Sequence, residues 1–418
     1  MLGKTFFLVL SVCSLSGFAA SEPQSAAKRV HFPERAPQAV FSWNFYKESL
    51  DLSRNVACSP FTIRMLFAAL EHISPRASSS IRTRYDQQLK QALNVLNANI
   101  MSGRYRKLIP KLKQDSAIKI ESLIAALGEG EFAGVVKRIA ERYQLSFGRF
   151  GKKNKDCMAR SINRAMGNLT DGRMSNYLTK SDLDFAKQLL LLNQLEFKGI
   201  WRKRFDAEWI VTCPFYLNSE RSLPVEFLFL EDYLPYYHNS TEDISAVELA
   251  FEKKSLFSCL LIKPIAGGLE QLIPKLNHRV FREIYNNLRR GSKVTVRVPK
   301  FAINSKINAR SVLIKMGLSL PFSDDTYRLY DGNGRVPLDD VIQRTSFTFG
   351  EQGEEDAPQI LDRVMPDTFS AHQPFVFVVF ERATGVPIVM GHYVQPEQSE
   401  VSSSEVNPMR CDNPPRGF

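Results

Sequence analysis

Cysteine is scarce in this 418-residue chain and falls into no recognisable pairing. Of six, Cys13 lies in the apolar N-terminal stretch, which leaves Cys58, Cys157, Cys213, Cys259 and Cys411, odd in number and widely spaced. No Cys-x-x-Cys occurs, so the pattern indicates neither a disulfide scaffold nor a zinc or redox motif. Cys58 and Cys259 sit in strand-like apolar contexts and read as small buried hydrophobes; Cys411, in the tail, is the candidate for pairing with another chain. The six histidines (His31, His72, His238, His278, His372, His392) are scattered without ligand spacing. There is no Gly-x-Ser-x-Gly elbow, no His-Glu-x-x-His and no Gly-x-x-x-x-Gly-Lys phosphate loop. Gly128-Glu-Gly130 followed by Gly134 lacks the dinucleotide spacing, and its acids would repel a pyrophosphate. These absences argue against an enzyme and leave no cofactor or metal to expect; only a Ser-His-Asp set assembled in the fold is left open. Past the N-terminus no apolar run approaches the ~20 residues that cross a bilayer. Neither a membrane span nor a nucleic-acid partner is expected.

The first nineteen residues have the parts of a secretory leader. Lys4 supplies charge, Phe6 to Val12 the apolar stretch, and Gly17-Phe18-Ala19 a small-x-small cleavage site. A signal peptide over 1–19, an N-terminal extension over 20–35, a domain over 36–396 and a disordered tail over 397–418 follow from this and from the Ser-, Glu- and Pro-rich end. Such a chain is secreted, extracellular and monomeric. The Asn-x-Ser/Thr tripeptides at Asn168 and Asn239 are acceptors for glycosylation in that compartment. The formal net charge of +11 favours acidic partners such as a glycosaminoglycan or another polyanion. Arg104, Arg106, Lys107, Lys111 and Lys113 form a basic run that is a candidate polyanion site, against the plainer reading of a solvated helix face.

Strand and helix patterns are mixed rather than alternating, which predicts a single α+β domain. Helical spacing runs over 38–50, 81–96, 103–113, 134–143 and 309–316, the last closed by Gly317. Ser59 and Pro60 suit the N-cap and first turn of a helix that follows a short strand. Leu189 to Leu195 and Phe375 to Phe380 are continuous apolar runs and predict strands buried on both faces. Ile118 to Ile124, Val294 to Val298 and Ser346 to Phe349 complete the strand signals.

Between Phe349 and Phe375 lies a long charged linker. Residues 351–373 hold six acids, one arginine (Arg363) and two prolines (Pro358, Pro366). A linker of that length, tethered between strong strands, must bow out as an exposed loop, and such loops are usually functional. An exposed loop with a single arginine is bait for a trypsin-like protease at Arg363-Val364.

Five segments in order resemble the serpin family. They are Asn55-Val-Ala-Cys-Ser-Pro-Phe-Thr-Ile63; Ile162-Asn163 with Thr170-Asp-Gly172-Arg-Met174; Leu192-Asn193 to Phe197-Lys198-Gly199-Ile-Trp201; Val298-Pro299-Lys300-Phe301 with Met316-Gly317; and Phe369 to Pro396. The match is collinear from about residue 36 to 396. It implies a serpin fold: three β-sheets, about nine helices and a reactive-centre loop at about 351–373. In inhibitory members a serine protease cuts that loop, whose first half then inserts into the large sheet and drags the protease with it, releasing stored strain. The resemblance further implies that Trp201 packs at the top of the sheet, that Lys300 and Glu351 pair at the loop base, and that Ser59, Thr62, Asn163 and Asn193 form the polar cluster where the sheet parts.

The hinge departs from that pattern. After Gly353 an inhibitor carries small uncharged residues; here the alternate set that would face the core on insertion is Glu354, Asp356, Pro358 and Ile360. Burying unpaired carboxylates costs several kcal/mol, and Pro358 deletes a ladder N–H where a central strand needs one. The ten residues from Glu354 to Arg363 span only ~33 Å at ~3.3 Å each. Gln343 stands where inhibitors usually carry histidine. The expectation is a secreted serpin that serves as a protease substrate, decoy or binding protein rather than a trap; the alternative is a working inhibitor of a trypsin-like serine protease through Arg363.

Overall fold

The computed structural model describes residues 37–74, 80–95, 98–128, 130–151, 154–174, 176–331, 334–356, 365–398, 400–402, 404 and 406. The expected leader 1–19 and extension 20–35, and the loop residues Pro358, Arg363 and Val364, lie outside them. In chain order the first elements are α1 (Pro37–Glu48), β1 (Val56–Cys58), α2 (Pro60–Leu70), α3 (Ser80–Ala92) and α4 (Ala98–Leu112). Next come β2 (Ile118–Leu127), α5 (Gly134–Tyr143), β3 (Ser146–Phe150), α6 (Lys155–Leu169), β4 (Leu189–Phe197) and β5 (Trp201–Lys203). Strands β6 (Val211–Tyr216), β7 (Ser222–Asn239), β8 (Ile244–Ala250) and β9 (Phe257–Lys263) follow, then α7 (Leu269–Lys275) and α8 (His278–Asn286). After them run β10 (Arg289–Pro299), β11 (Phe301–Asn308), α9 (Ala309–Lys315), α10 (Leu320–Ser323) and β12 (Asp340–Phe349). The last are β13 (Gly353–Glu355), β14 (Asp367–Ser370), β15 (Phe375–Glu381) and β16 (Val386–Tyr393).

Ten α-helices are thus present among the described residues, one more than the resemblance implied. A five-stranded sheet has the order β11-β12-β4-β2-β3, a nine-stranded assembly runs β1-β16-β15-β9-β8-β7-β10-β14 with β6 on β7, and β13 pairs β5 as a two-stranded ladder. Both apolar runs became interior strands. Leu189 to Leu195 sits third of five, and every residue of β15 is buried between β16 and β9.

Helix α2 is buried along its whole length and passes behind the five-stranded sheet. The Ser59 side chain accepts from Thr62 N–H, and Pro60 opens the first turn, as the Ser-Pro pair predicts. Its one charge, Arg64, is 5% exposed and donates to Leu93 O at 2.9 Å and Gln38 Oε1 at 3.0 Å. On the opposite face of the sheet α6 buries Met158, Ile162 and Met166 against Leu190, Leu192 and Ile342, a small second core. Gly317 ends α9 at φ +96°, a left-handed position that glycine adopts without strain.

Two features went unread in the sequence. Cys213 is disulfide-bonded, with a partner outside the described residues, whereas Cys58, Cys157 and Cys259 are free. Nor is the segment after residue 396 loose from its start. Val401 bridges Val225, and the Glu400 carboxylate accepts from Ala302 N–H at 2.9 Å and Tyr393 Oη at 2.8 Å. Composition missed this because one acid with two donors, Tyr393 among them buried, outweighs a polar, serine-rich neighbourhood.

Candidate functional site

The decisive seam lies between β4 and β12, which pair directly and in parallel, Asn193 opposite Gln343 and Glu196 opposite Ser346. The position a new strand would take is therefore closed, and the described residues that leave β12, 350–356, turn away onto β5.

At the seam's upper end Trp201 is 2% exposed and stacks on Phe251 at 4.3 Å, with Phe349 4.8 Å away. Such pairs contribute ~0.5–1.5 kcal/mol beyond their burial. The indole Nε1 donates to Gly350 O at 2.8 Å, so this ring also fixes the chain as it leaves β12. Gly199 permits the approach: a Cβ there would lie 2.3 Å from the Phe251 ring.

From Gly350 the hinge turns onto β5. Gly353 pairs with Trp201 and Glu355 with Lys203 in a short parallel ladder. Trp201 N–H donates to Gln352 O at 2.9 Å, Arg204 N–H to Glu355 O at 2.7 Å and Phe205 N–H to Glu351 O at 3.1 Å. Gly353 sits so close to β5 that a Cβ would lie 2.2 Å from Arg204 N. Side chains reinforce the ladder. Glu351 pairs with Lys300 at 3.0 Å, Glu355 with Lys203 at 2.7 Å and also with Lys253, and Asp356 with Arg204 at 3.2 Å. Glu354 accepts from Lys253 N–H at 2.9 Å. The Lys203 and Lys253 ammoniums hold the Glu355 carboxyl down to about 2; a hydrogen bond from its own backbone N–H, then Lys300, lowers that of Glu351. All four hinge acids are thus engaged on the outside of the molecule. Lys203, Arg204 and Lys253 were not singled out from the sequence; the basic run at 202–204 opposite an acidic hinge was the available signal.

Lower on the seam a buried polar cluster joins α2 to both strands. Gln343 Nε2 donates to Ser59 O at 2.9 Å and Thr62 Oγ1 at 2.8 Å, while its Oε1 accepts Ser59 N–H at 2.9 Å. Thr62 Oγ1 donates to Asn193 Oδ1 at 2.6 Å, and Asn193 Nδ2 donates to Ser122 Oγ at 2.9 Å. Tyr177 Oη accepts Asn193 N–H at 3.0 Å and lies 2.8 Å from Ile342 O, so it spans the seam from the other face. Gln343, noted from the sequence only as a departure, is the member that joins Ser59, Thr62 and Asn193. Asn163 is not in the cluster: its side chain bonds Leu178 O and N–H at 2.9 and 2.7 Å, securing the turn after α6.

This closed parallel seam, roofed by a tryptophan and opened only by parting β4 from β12, sits beneath a hinge tethered outside it. The chain belongs to the serpin family. The family model described as Serpin (serine protease inhibitor) matches residues 36–396. Two mosquito proteins, each called an FXa-directed anticoagulant, are 32% identical to this serpin: one from Aedes albopictus over 392 residues and one from Aedes aegypti over 387, each alignment covering 91% of this chain and 92% of the relative. SRPN18 of Anopheles gambiae superposes with a TM-score of 0.76 at 17% identity, covering 87% of this chain and 98% of the other. Uncleaved ovalbumin does so at 0.76 and 21%, covering 86% and 99%. At those identities the structures speak for the fold.

The remaining candidate residues of this serpin lie away from the seam. Arg104, Arg106, Lys107 and Lys111 are exposed on α4, with Arg104, Lys107 and Lys111 at the i, i+3, i+7 spacing of one face. Lys113 departs from the run: it is half-buried, donates to Gln144 O at 3.2 Å and pairs with Glu121 at 3.6 Å. Asn168 is exposed in the last turn of α6. Asn239 is half-buried, and its Oδ1 accepts Thr241 N–H at 3.0 Å. No helix among the described residues is long and apolar enough to cross a membrane.

Proposed function

We propose that this serpin meets a trypsin-like serine protease through its loop, with Arg363-Val364 as the bond presented, and that it acts as a substrate, decoy or binding partner rather than by strand insertion. One observation carries the reading: Glu351, Glu354, Glu355 and Asp356 are all bound at the rim, to Lys300, Lys253, Lys203 and Arg204. Insertion would break these contacts and turn Glu354 and Asp356 toward the core, where uncompensated carboxylates cost several kcal/mol each. A trapping serpin gains on insertion; this hinge loses.

The second reading, a trapping inhibitor, is favoured by the two relatives named as directed at FXa. It makes that protease the first to try. Incubation with factor Xa or trypsin, followed by denaturing electrophoresis, separates the two. A cleaved chain with no covalent adduct supports the first reading; an adduct that survives boiling establishes the second and overturns it.

The same proposal takes the chain as secreted, with glycosylation at Asn168, whose side chain is exposed, and at Asn239; either role suits that compartment. For the basic face of α4 a sulfated polysaccharide is the partner of matching charge, held through Arg104, Lys107 and Lys111. No catalytic role is proposed.

A further inference from the structure

The face of the five-stranded sheet that packs under α6 through Leu190, Leu192 and Ile342 turns polar two residues further along. Gln194 and Glu196 of β4, Lys119 and Glu121 of β2, and Thr348 of β12 project there, and the chain following α6 walls the space with Arg173. They line a half-open cavity of about 210 Å³. At ~30 Å³ per water this is room for about seven waters, or for one small organic molecule whose bonded atoms pack closer than waters do.

Its floor is unusual. Gln194 is 4% exposed, its Oε1 is buried without a hydrogen-bond partner, and no described residue bonds its carboxamide. Buried amide groups are nearly always paired, so a carboxamide aimed into a cavity calls for a complement. The charges are also uneven. Glu196 is held by Arg173 at 2.9 Å and Glu121 by Lys113 at 3.6 Å. Lys119, opposite Glu196 in the strand register, has no ion-pair partner among the described residues. One buried amide is left to satisfy, with one exposed positive charge beside it free to pair.

We infer that this cavity binds a small carboxylate bearing an amide, of the N-acyl amino acid class. The ligand's amide exchanges hydrogen bonds with the Gln194 carboxamide, which offers both a donor and an acceptor, and its carboxylate pairs with Lys119. Because Gln194 lies on β4 and Thr348 on β12, a molecule seated between them ties together the two strands of the seam. Its occupancy therefore holds the sheet closed.

The test is ligand-observed saturation-transfer NMR on the full chain with three probes: N-acetylglycine, acetate and N-methylacetamide. The first carries both groups, and the others carry one each. N-acetylglycine is expected to bind at least about tenfold tighter than either. Gln194→Met, close in shape and without the amide, should weaken it by about tenfold or more, as should Lys119→Ala, while Lys315→Ala on α9 leaves it unchanged. At about ten times its dissociation constant N-acetylglycine should also raise the thermal midpoint, by mass action. No signal would show that the cavity holds only water, and equal signals for all three probes, or a signal that Gln194→Met leaves intact, would show binding without this recognition; each overturns the assignment.

Discussion

Gln343 and Ser59 exchange two hydrogen bonds, Nε2 to Ser59 O and Ser59 N–H to Oε1, each at 2.9 Å. The carboxamide thereby completes the cap of α2 from a strand 284 residues away and ties that helix to the seam.

Gln343→Leu should therefore destabilise the chain beyond the loss of one contact. It strands a buried Ser59 N–H and leaves Thr62 and Asn193 short of a partner, and each unsatisfied group costs ~1–3 kcal/mol. Denaturant unfolding should show a lower midpoint with little change in slope. A midpoint equal to wild type would mean that water fills the gap.

Much of this was readable in advance and some was not, for identifiable reasons. Leu189 to Leu195 and Phe375 to Phe380 announced themselves because a strand buried on both faces must be apolar at every position. The ladder of β13 on β5 was hidden because Gly353-Glu-Glu355 has no strand propensity of its own; its order comes from bases brought up by a distant segment. Likewise β7 runs eighteen residues through Pro224 and Pro235, which break the local pattern while its pairing to β10, β6 and β8 sustains it. The family motifs located the seam, but what Gln343 and Glu355 bond could be read only from the folded chain.

Acid should loosen the hinge in a defined window. The folded Glu355 carboxyl titrates near 2 against an ordinary 4.5 because Lys203 and Lys253 bind its charged form. A depressed value means that the contribution is complete above pH about 4.5 and disappears as pH falls through about 2. Carboxyl titration by ¹³C NMR should place Glu355 near the lower value, and Lys203→Ala with Lys253→Ala should return it toward the upper. A midpoint already at the ordinary value in wild type would remove the clamp.

Gly353→Ala should lift the hinge off β5. The added methyl would meet the Arg204 backbone at 2.2 Å, and backbone cannot step aside as a flexible side chain can. Limited proteolysis at 351–356 should accelerate, and Arg204 N–H, bonded to Glu355 O at 2.7 Å, should lose hydrogen-exchange protection. Unchanged protection would place the hinge elsewhere.

Non-reducing peptide mapping should recover Cys213 linked to Cys411. Cys58, Cys157 and Cys259 are free, and Cys13 falls within the expected leader. The described tail already runs beside β6, where Thr212 Oγ1 donates to Ser402 Oγ at 3.2 Å. Recovery of Cys213 as a free thiol, or cross-linked between two chains, would refute the pairing.

The hinge offers the most direct control of function. Wild-type chain cut at Arg363-Val364 should melt close to the intact protein, because the freed segment would have to give up the Lys203, Lys253 and Arg204 contacts and then bury Glu354 and Asp356. Pro358 would also leave a gap in any new ladder. Replacing Glu354 with Thr, and Asp356 and Pro358 with Ala, removes all three obstacles to that strand while sparing Glu351 and Glu355 at the rim. The triple variant should gain thermal stability on cleavage and retain a fraction of its protease as a covalent adduct. If the variant behaves as wild type does, the obstacle lies in the seam itself, with Gln343 the next residue to change; if uncut and cut wild type already differ by tens of degrees, strand insertion occurs despite the acids and the chain is a trap.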